Sequence, residues 1–243
     1  MMAVVLFFVI AFAAAVMASV TGFGSATLLI PFAGLIIDLK QAIVLVAFFH
    51  LFSNAFKLLS LRRSVDRRIA VIYGLPSIIF ALLGAWLFAS ADVSALAVGF
   101  AGFIILFAVY SLLQPAFSLP DRNAVLVSGS VLSGFTAGLI GLGGAIRAMF
   151  LVSTRIKKEA YIATSAAIAV AVDVSRISVY LSSGSLDAEY YWYIIPLIAV
   201  AFVGTRLGLR LLKKLPGQVV KKSVLVLLLL VGLKMLLEHS GVF

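Results

Sequence analysis

Hydrophobic stretches separated by short polar punctuation run the length of the chain, and their lengths are those of membrane spans. They fall at about 3–37, 41–60, 69–91, 93–113, 123–152, 160–182, 190–212 and 219–237. A helix needs about 20 apolar residues to cross a bilayer. The first and fifth stretches are too long for one ordinary crossing, and each is interrupted near its middle by glycines. The first break reads Thr21-Gly22-Phe23-Gly24-Ser25 and the second Gly141-Leu142-Gly143-Gly144. Glycine permits positive φ and weakens a helix, so a break or turn is predicted at both places. A break at membrane depth is tolerated only where the freed backbone faces protein or a water-filled cavity.

The two breaks belong to a duplication. A shift of 119 residues overlays Gly22–Ala26 on Gly141–Ala145, Asn54 on Asp173 and Lys57 on Arg176; a shift of 120 overlays Pro76 on Pro196 and Gly84 on Gly204. This divides one membrane domain into repeats over 1–120 and 121–243.

Charge sets the orientation. Arg62, Arg63, Arg67 and Arg68 place one loop in the cytoplasm, as do Arg155, Lys157 and Lys158 for the connection after the second break, and Lys213, Lys214, Lys221 and Lys222 for the last loop. Asp92, and Asp187 with Glu189, mark loops on the other side. Eight simple crossings contradict these assignments. They agree if each broken stretch enters, turns at its glycines and leaves on the side it came from. The predicted fold is therefore an all-α integral membrane protein of two inverted-topology repeats, each a re-entrant helical hairpin plus three transmembrane helices, with both termini outside. Asp121 and Arg122, before the second hairpin, carry too little charge to add a vote.

Composition agrees and narrows the chemistry. The chain of 243 residues is 64% hydrophobic and 12% charged, with mean hydropathy +1.23, outside the range of soluble domains. The net charge of +10 resides at segment ends, where it reads as contact with anionic lipid rather than nucleic acid. Absence of cysteine removes disulfides, thiolate nucleophiles and cysteine metal sites. The first 20 residues lack a positive leader and run on past the break, so they read as a retained segment and not a signal peptide.

Paired glycine-rich breaks, TGFGSATLLIP in the first half and GLIGLGGAIR in the second, together with the duplicated architecture, make the chain resemble the TauE/SafE family of membrane proteins. The resemblance extends over essentially the whole chain. It implies export of small sulfur-containing anions such as sulfite, sulfoacetate or other organosulfonates. The first break has Gly-Phe-Gly-Ser where the second has Gly-Leu-Gly-Gly, which allows the two tips different roles.

Half-helix N-termini present unpaired N–H groups and partial positive charge, which suits an oxyanion. The candidate substrate contacts are Thr21, Gly22, Gly24, Ser25, Gly141, Gly143, Gly144 and Arg147. The competing reading makes the glycines mere packing surfaces between helices. Arg147 would grip an oxyanion with its fork or snorkel to the interface. Asp173 and Arg176, spaced i,i+3, form either a structural lock or a proton-linked gate, with Asn54 and Lys57 as their mates. Asp173 is the sole acidic residue well inside a span and ranks first as proton carrier. His50, mid-segment, ranks below it, because a lone histidine is more often a packing residue. Thr21, Thr136 and Ser165 have hydroxyls that would be near the expected site and would either contact substrate or bond back to their own helices. Trp86, Trp192, Tyr190, Tyr191 and Tyr193 read as an interfacial belt.

No nucleophile–base pair, metal-ligand spacing or P-loop is present, so an enzyme is disfavoured and no metal or cofactor is expected. The leading function is secondary transport of a small anion by alternating access at a midplane site in the cell (inner) membrane, open to proton coupling and to homo-oligomer formation. The alternative is a flippase for a phosphorylated lipid carrier.

Overall fold

The computed structural model describes residues 2–21, 24–113, 120, 122–151, 154, 156–211 and 217–239. Gly22 and Phe23 of the first tip, Asp121, Arg155, Lys213 and Lys214 lie outside the described residues. So do the side chains of Thr21, Lys158 and Lys221.

Ten α-helices make up the described chain: α1 Met2–Thr21, α2 Ser25–Ala33, α3 Leu39–Leu61, α4 Arg67–Ser90, α5 Val93–Leu113, α6 Asn123–Ile140, α7 Gly143–Leu151, α8 Lys158–Ser182, α9 Ile194–Leu211 and α10 Gly217–His239. No strand occurs among the described residues. Seven helices are long and apolar enough to cross a membrane, and α10 adds a shorter apolar run, Leu225–Leu237. The protein is an all-α membrane protein.

Acidic side chains start three of the helices, α3, α4 and α5. Asp38 Oδ1 accepts from the N–H groups of Lys40 and Gln41 at 2.8 and 3.3 Å. Asp66 caps α4 through Ile69 N–H at 3.0 Å, and Asp92 caps α5 through Ser94 N–H at 2.8 Å. Each satisfies backbone donors that a helix start leaves orphaned. Three of the chain's nine acidic residues are thereby committed to caps and withdrawn from the chemistry.

The breaks fall where the glycines predict. Gly24, with φ +85°, precedes α2. Gly141, with φ +79°, ends α6, and its N–H returns to Ala137 O at 3.1 Å. Only glycine adopts these φ values cheaply. Beyond the second break, α7 runs back along α6. Ser133 Oγ donates to Gly143 O at 2.9 Å, and Phe150 lies against Gly129 further down. At the first, Leu28 and Phe32 of α2 share an apolar cavity wall with Ile10, Ala13, Ala14 and Met17 of α1.

Cross-contacts fix the relative directions. Tyr73 bonds to Gly129 O at 2.9 Å and Ser77 to Ser130 O at 3.0 Å, so α4 runs parallel to α6. The interface is a backbone-level zipper: a Cβ on Gly134 would strike the Ser77 carbonyl, and one on Gly138 the Ala81 carbonyl. In the same way α1 runs parallel to α9, with Phe7 on Tyr193 at 5.3 Å between ring centroids and Gly208 on Ser19. Helix α3 is antiparallel to α8, from Gln41 with Asp187 at 3.1 Å through His50 with Asp173 at 2.7 Å to Asp66, just past its end, with Thr164 at 2.8 Å. It is parallel to α9: Ser53 meets Thr205 at 2.8 Å, and Ser60 near the end of α3 lines one opening with Arg210 at the end of α9. Helix α4 is parallel to α8, from Gly74 on Ile168 to Phe88 on Tyr180. Thus α1, α3 and α9 point one way and α4, α6 and α8 the other. Helices that the 119–120-residue shift makes equivalent point in opposite directions.

The aromatic belt is only partly as expected. Trp86 and Trp192 are 69% and 52% exposed, whereas Tyr193 is 6% exposed, buried against Phe7 and Phe8. Its ring is worth more in the α1–α9 core than at an interface.

Candidate functional site

A cavity of about 100 Å³ lies between the tips of the two broken elements. At its inner end the tips meet: a Cβ on Gly24 would sit 4.0 Å from Gly144 Cα and 4.0 Å from His50 Nε2. The N-terminal ends of α2 and α7 therefore converge on one point beside a histidine, and both dipoles direct positive potential there. From that point the lining continues through Asn54, Arg147 and Ser165 to Lys57, Tyr161 and Leu209. Those last three lie near the end of α3, the start of α8 and the end of α9. This is the end of the molecule that carries Arg62–Arg68. An adjoining opening there is lined by Phe56, Ser60, Arg206, Leu209 and Arg210.

Helical spacing explains the α3 wall. His50, Asn54 and Lys57 follow at i, i+4 and i+7, one stripe of the helix. Asn54 Nδ2 donates to His50 O at 2.8 Å, which leaves its amide oxygen free to face the cavity. Lys57 and Arg147 bring two positive charges to the lining, and no carboxylate lines it among the described residues.

The two buried arginines are treated differently. Arg147, on α7, is 4% exposed; its Nε donates to Ser165 Oγ at 3.0 Å, and it has no ion-pair partner among the described residues. Arg176, 1% exposed, is fully compensated. Its Nε and one terminal nitrogen reach Asp173 Oδ1 at 2.9 and 2.8 Å, and the other terminal nitrogen donates to Ala137 O at 2.8 Å. Tyr180 donates to the next carbonyl, that of Gly138. Arg176 and Tyr180 together satisfy the carbonyl end of broken α6, where a cation is also favoured by the dipole.

Asp173 Oδ2 meets His50 Nδ1 at 2.7 Å. An ionised carboxylate only accepts, so Nδ1 carries a proton and the lone pair of the neutral ring is on Nε2, facing the cavity. Asp173 itself stands behind the ring, among the residues that do not line the cavity.

Of the residues singled out by sequence, Gly24, Gly144, His50, Asn54, Lys57 and Arg147 line the cavity. Asp173, Arg176 and Gly141 form a layer behind it; a Cβ on Gly141 would lie 3.4 Å from an Arg176 nitrogen. Gly143 packs into α6, where a Cβ would lie 2.5 Å from Ala137 Cβ. Ser25 is buried with its hydroxyl unpartnered among the described residues. Ser165 lines the cavity, whereas Thr136 bonds back to Leu132 O at 2.7 Å. Gly22, and the Thr21 side chain, lie outside the described residues. Sequence reasoning passed over Tyr161, Ser19 and Ala18, which also line the cavity. Tyr161 had a signal, standing i,i+4 from Ser165 on the same helix face. Among the described residues no cluster of three His, Cys, Asp or Glu could hold a metal.

No curated protein matches the chain, and no solved structure does. The family model described as "Sulfite exporter TauE/SafE" matches residues 7–235. That span contains both broken elements, the duplicated helices and every residue of the cavity, so the chain belongs to the sulfite exporter TauE/SafE family of membrane transporters.

Proposed function

We propose that this protein exports a small sulfur-containing or organic oxyanion, such as sulfite, sulfoacetate or another organosulfonate, across the cell (inner) membrane by alternating access. The observation that carries the reading is Arg147: a buried guanidinium, without a carboxylate partner among the described residues, beside the converging N-termini of α2 and α7. A buried cation without a counterion is costly, and an anion in the cavity relieves that cost. Lys57 and the exposed Arg206 and Arg210 extend the positive potential to the mouth, which raises the local concentration of anions. Under the positive-inside rule this mouth faces the cytoplasm, where an exporter loads. Opposed directions of equivalent helices support two inverted halves that exchange roles as the cavity closes on one side and opens on the other.

Purified protein in liposomes loaded with radiolabelled sulfite or sulfoacetate tests the reading. Saturable efflux is expected, accelerated by the same anion on the far side and lost in Arg147→Gln. Efflux equal to that of protein-free liposomes for every sulfur oxyanion tried, with movement of a phosphorylated lipid carrier instead, overturns it in favour of a flippase.

A further inference from the structure

The transport reading leaves one cavity-lining group without a task. His50 is 5% exposed and directs Nε2 at the point where Gly24 and Gly144 meet. Its other nitrogen is held by Asp173, which is held in turn by Arg176, which bonds to Ala137 O at the end of broken α6. A packing histidine needs none of this: a single backbone carbonyl would satisfy Nδ1. Here the ring is fixed in the one tautomer that offers a basic nitrogen to the cavity.

We propose that His50 Nε2 is a proton-binding site coupled to the anion in the cavity, with Asp173 orienting the ring and Arg176 linking that carboxylate to the second hairpin.

The proposal rests on the anion reading above. The charged and titratable groups facing His50 settle the sign of the coupling. From α8 come Asp173, bonded to the ring, and Arg176 behind it; Tyr161 is also on this wall. From α7 comes Arg147, and from α3 itself Lys57, one turn beyond Asn54. With the cavity empty, two cations in its lining oppose a third. An anion offsets them, so anion and proton each strengthen the binding of the other, and by linkage the two factors are equal. A protonated His50 has donors on both nitrogens, one on Asp173 and one aimed at the anion. One proton accompanies one anion, and the charge carried across falls by one. Because the same proton alters the group holding Arg176 at the end of α6, its arrival reaches the hairpin as well as the substrate.

The chain has two histidines, His50 and His239, so nitrogen-15 histidine labelling yields two imidazole spin systems, the second assigned with His239→Gln. Sulfate stays a dianion between about pH 5 and 9 and serves as probe together with methanesulfonate. The midpoint of the His50 ring is expected to rise by about half a pH unit or more at saturating sulfate. Calorimetry on the same samples should show sulfate binding at least about threefold tighter at the acidic end, by reciprocity. In His50→Gln the affinity, whatever its value, should no longer vary with pH. Sulfate or methanesulfonate bound equally well at all pH values, with His50 remaining neutral, overturns the proton site while leaving the anion reading intact. Titration of His50 with no binding of either anion at any pH overturns the anion reading, and the coupling with it.

Discussion

Arg147 and Arg176 have the same side chain and are both buried, yet among the described residues only Arg176 has an ion-pair partner. Arg176 has Asp173 and the Ala137 carbonyl, so removing Asp173 strands a charge. Asp173→Asn should cost about 3–5 kcal/mol of stability, the usual consequence of breaking one side of a buried pair, read as a lowered midpoint of thermal unfolding in detergent. An unchanged midpoint would show that Arg176 finds a second anion. Arg147 behaves in the opposite way. Arg147→Gln should preserve folded yield, since it removes a charge that is expensive at depth, and should weaken anion binding by about 1.5–3 kcal/mol, roughly 10- to 150-fold. Arg147→Lys should recover part of that, because a point charge lacks the guanidinium fork. Equal affinity in all three proteins would remove Arg147 from the site. At this scale the sequence draws the eye to charges set in apolar runs, as Arg147, Asp173 and Arg176 are, and the structure buries all three. It offers His50 too, but ranks it below Asp173, because the contact that orients its ring is made by a partner 123 residues away. Tyr161 carries only the faint signal of its i,i+4 spacing from Ser165, and its place in the cavity lining emerges once α7 is laid beside α8.

Between elements the determining contacts are made by backbone. Both breaks could be read because glycine pairs interrupt strong hydrophobic runs, and α6 and α7 separate at Gly141 as expected. What could not be read is the surface on which α6 packs. Gly134 and Gly138 sit in a run that looks like any small-residue stripe, and their partners, Ser77 and Ala81, lie on α4 over 50 residues earlier. A side chain at either glycine meets carbonyl oxygens that have no room to move. Gly138→Val should therefore cost about 3 kcal/mol or more, at the upper end of overpacking effects, and reduce the monodisperse yield. Gly102→Val, on α5, is the matched control: nothing lies within 4 Å of its added Cβ, and yield and unfolding midpoint should stay at the wild-type level. Gly143 falls in the first class, because its Cβ would meet α6; Gly143→Leu should therefore lose folded protein and transport together. Gly24 looks into the cavity instead, where an added Cβ would lie 4.0 Å from His50 Nε2, so Gly24→Ala combines the strain of a positive φ with partial filling of the cavity.

Across the whole molecule the duplication is expressed as equivalent contacts. Gly84 packs on Phe135 and Gly204 on Ala15; the shift of 120 that carries Gly84 to Gly204 also carries Ala15 to Phe135. An interface that recurs in the same register, between helices of reversed direction, follows from two halves related by an axis across the helices. The chemistry ignores that symmetry: Asn54 answers Asp173, Lys57 answers Arg176, and Ala169 answers His50. On the transport reading proposed above, a symmetric frame would let either half open, while the unequal residues would fix where anion and proton are held. The frame in turn dictates sidedness. Helices α1, α3 and α9 share one direction, so Ala3 near the start of α1 should be on the same side as the loops at Ser90 and Ser183, while Arg63 and Lys157 lie on the other. Absence of cysteine makes the measurement direct. Ala3→Cys, Ser90→Cys and Ser183→Cys should react with an impermeant thiol reagent in intact cells, and Arg63→Cys and Lys157→Cys only after permeabilisation. The informative position is Lys157. If α6 and α7 formed one kinked crossing, Lys157 would appear opposite Arg63, and the hairpin, with the inverted pairing built on it, would have to be abandoned. Labelling of Lys157→Cys together with Arg63→Cys leaves the re-entrant hairpin as the arrangement that accounts for both.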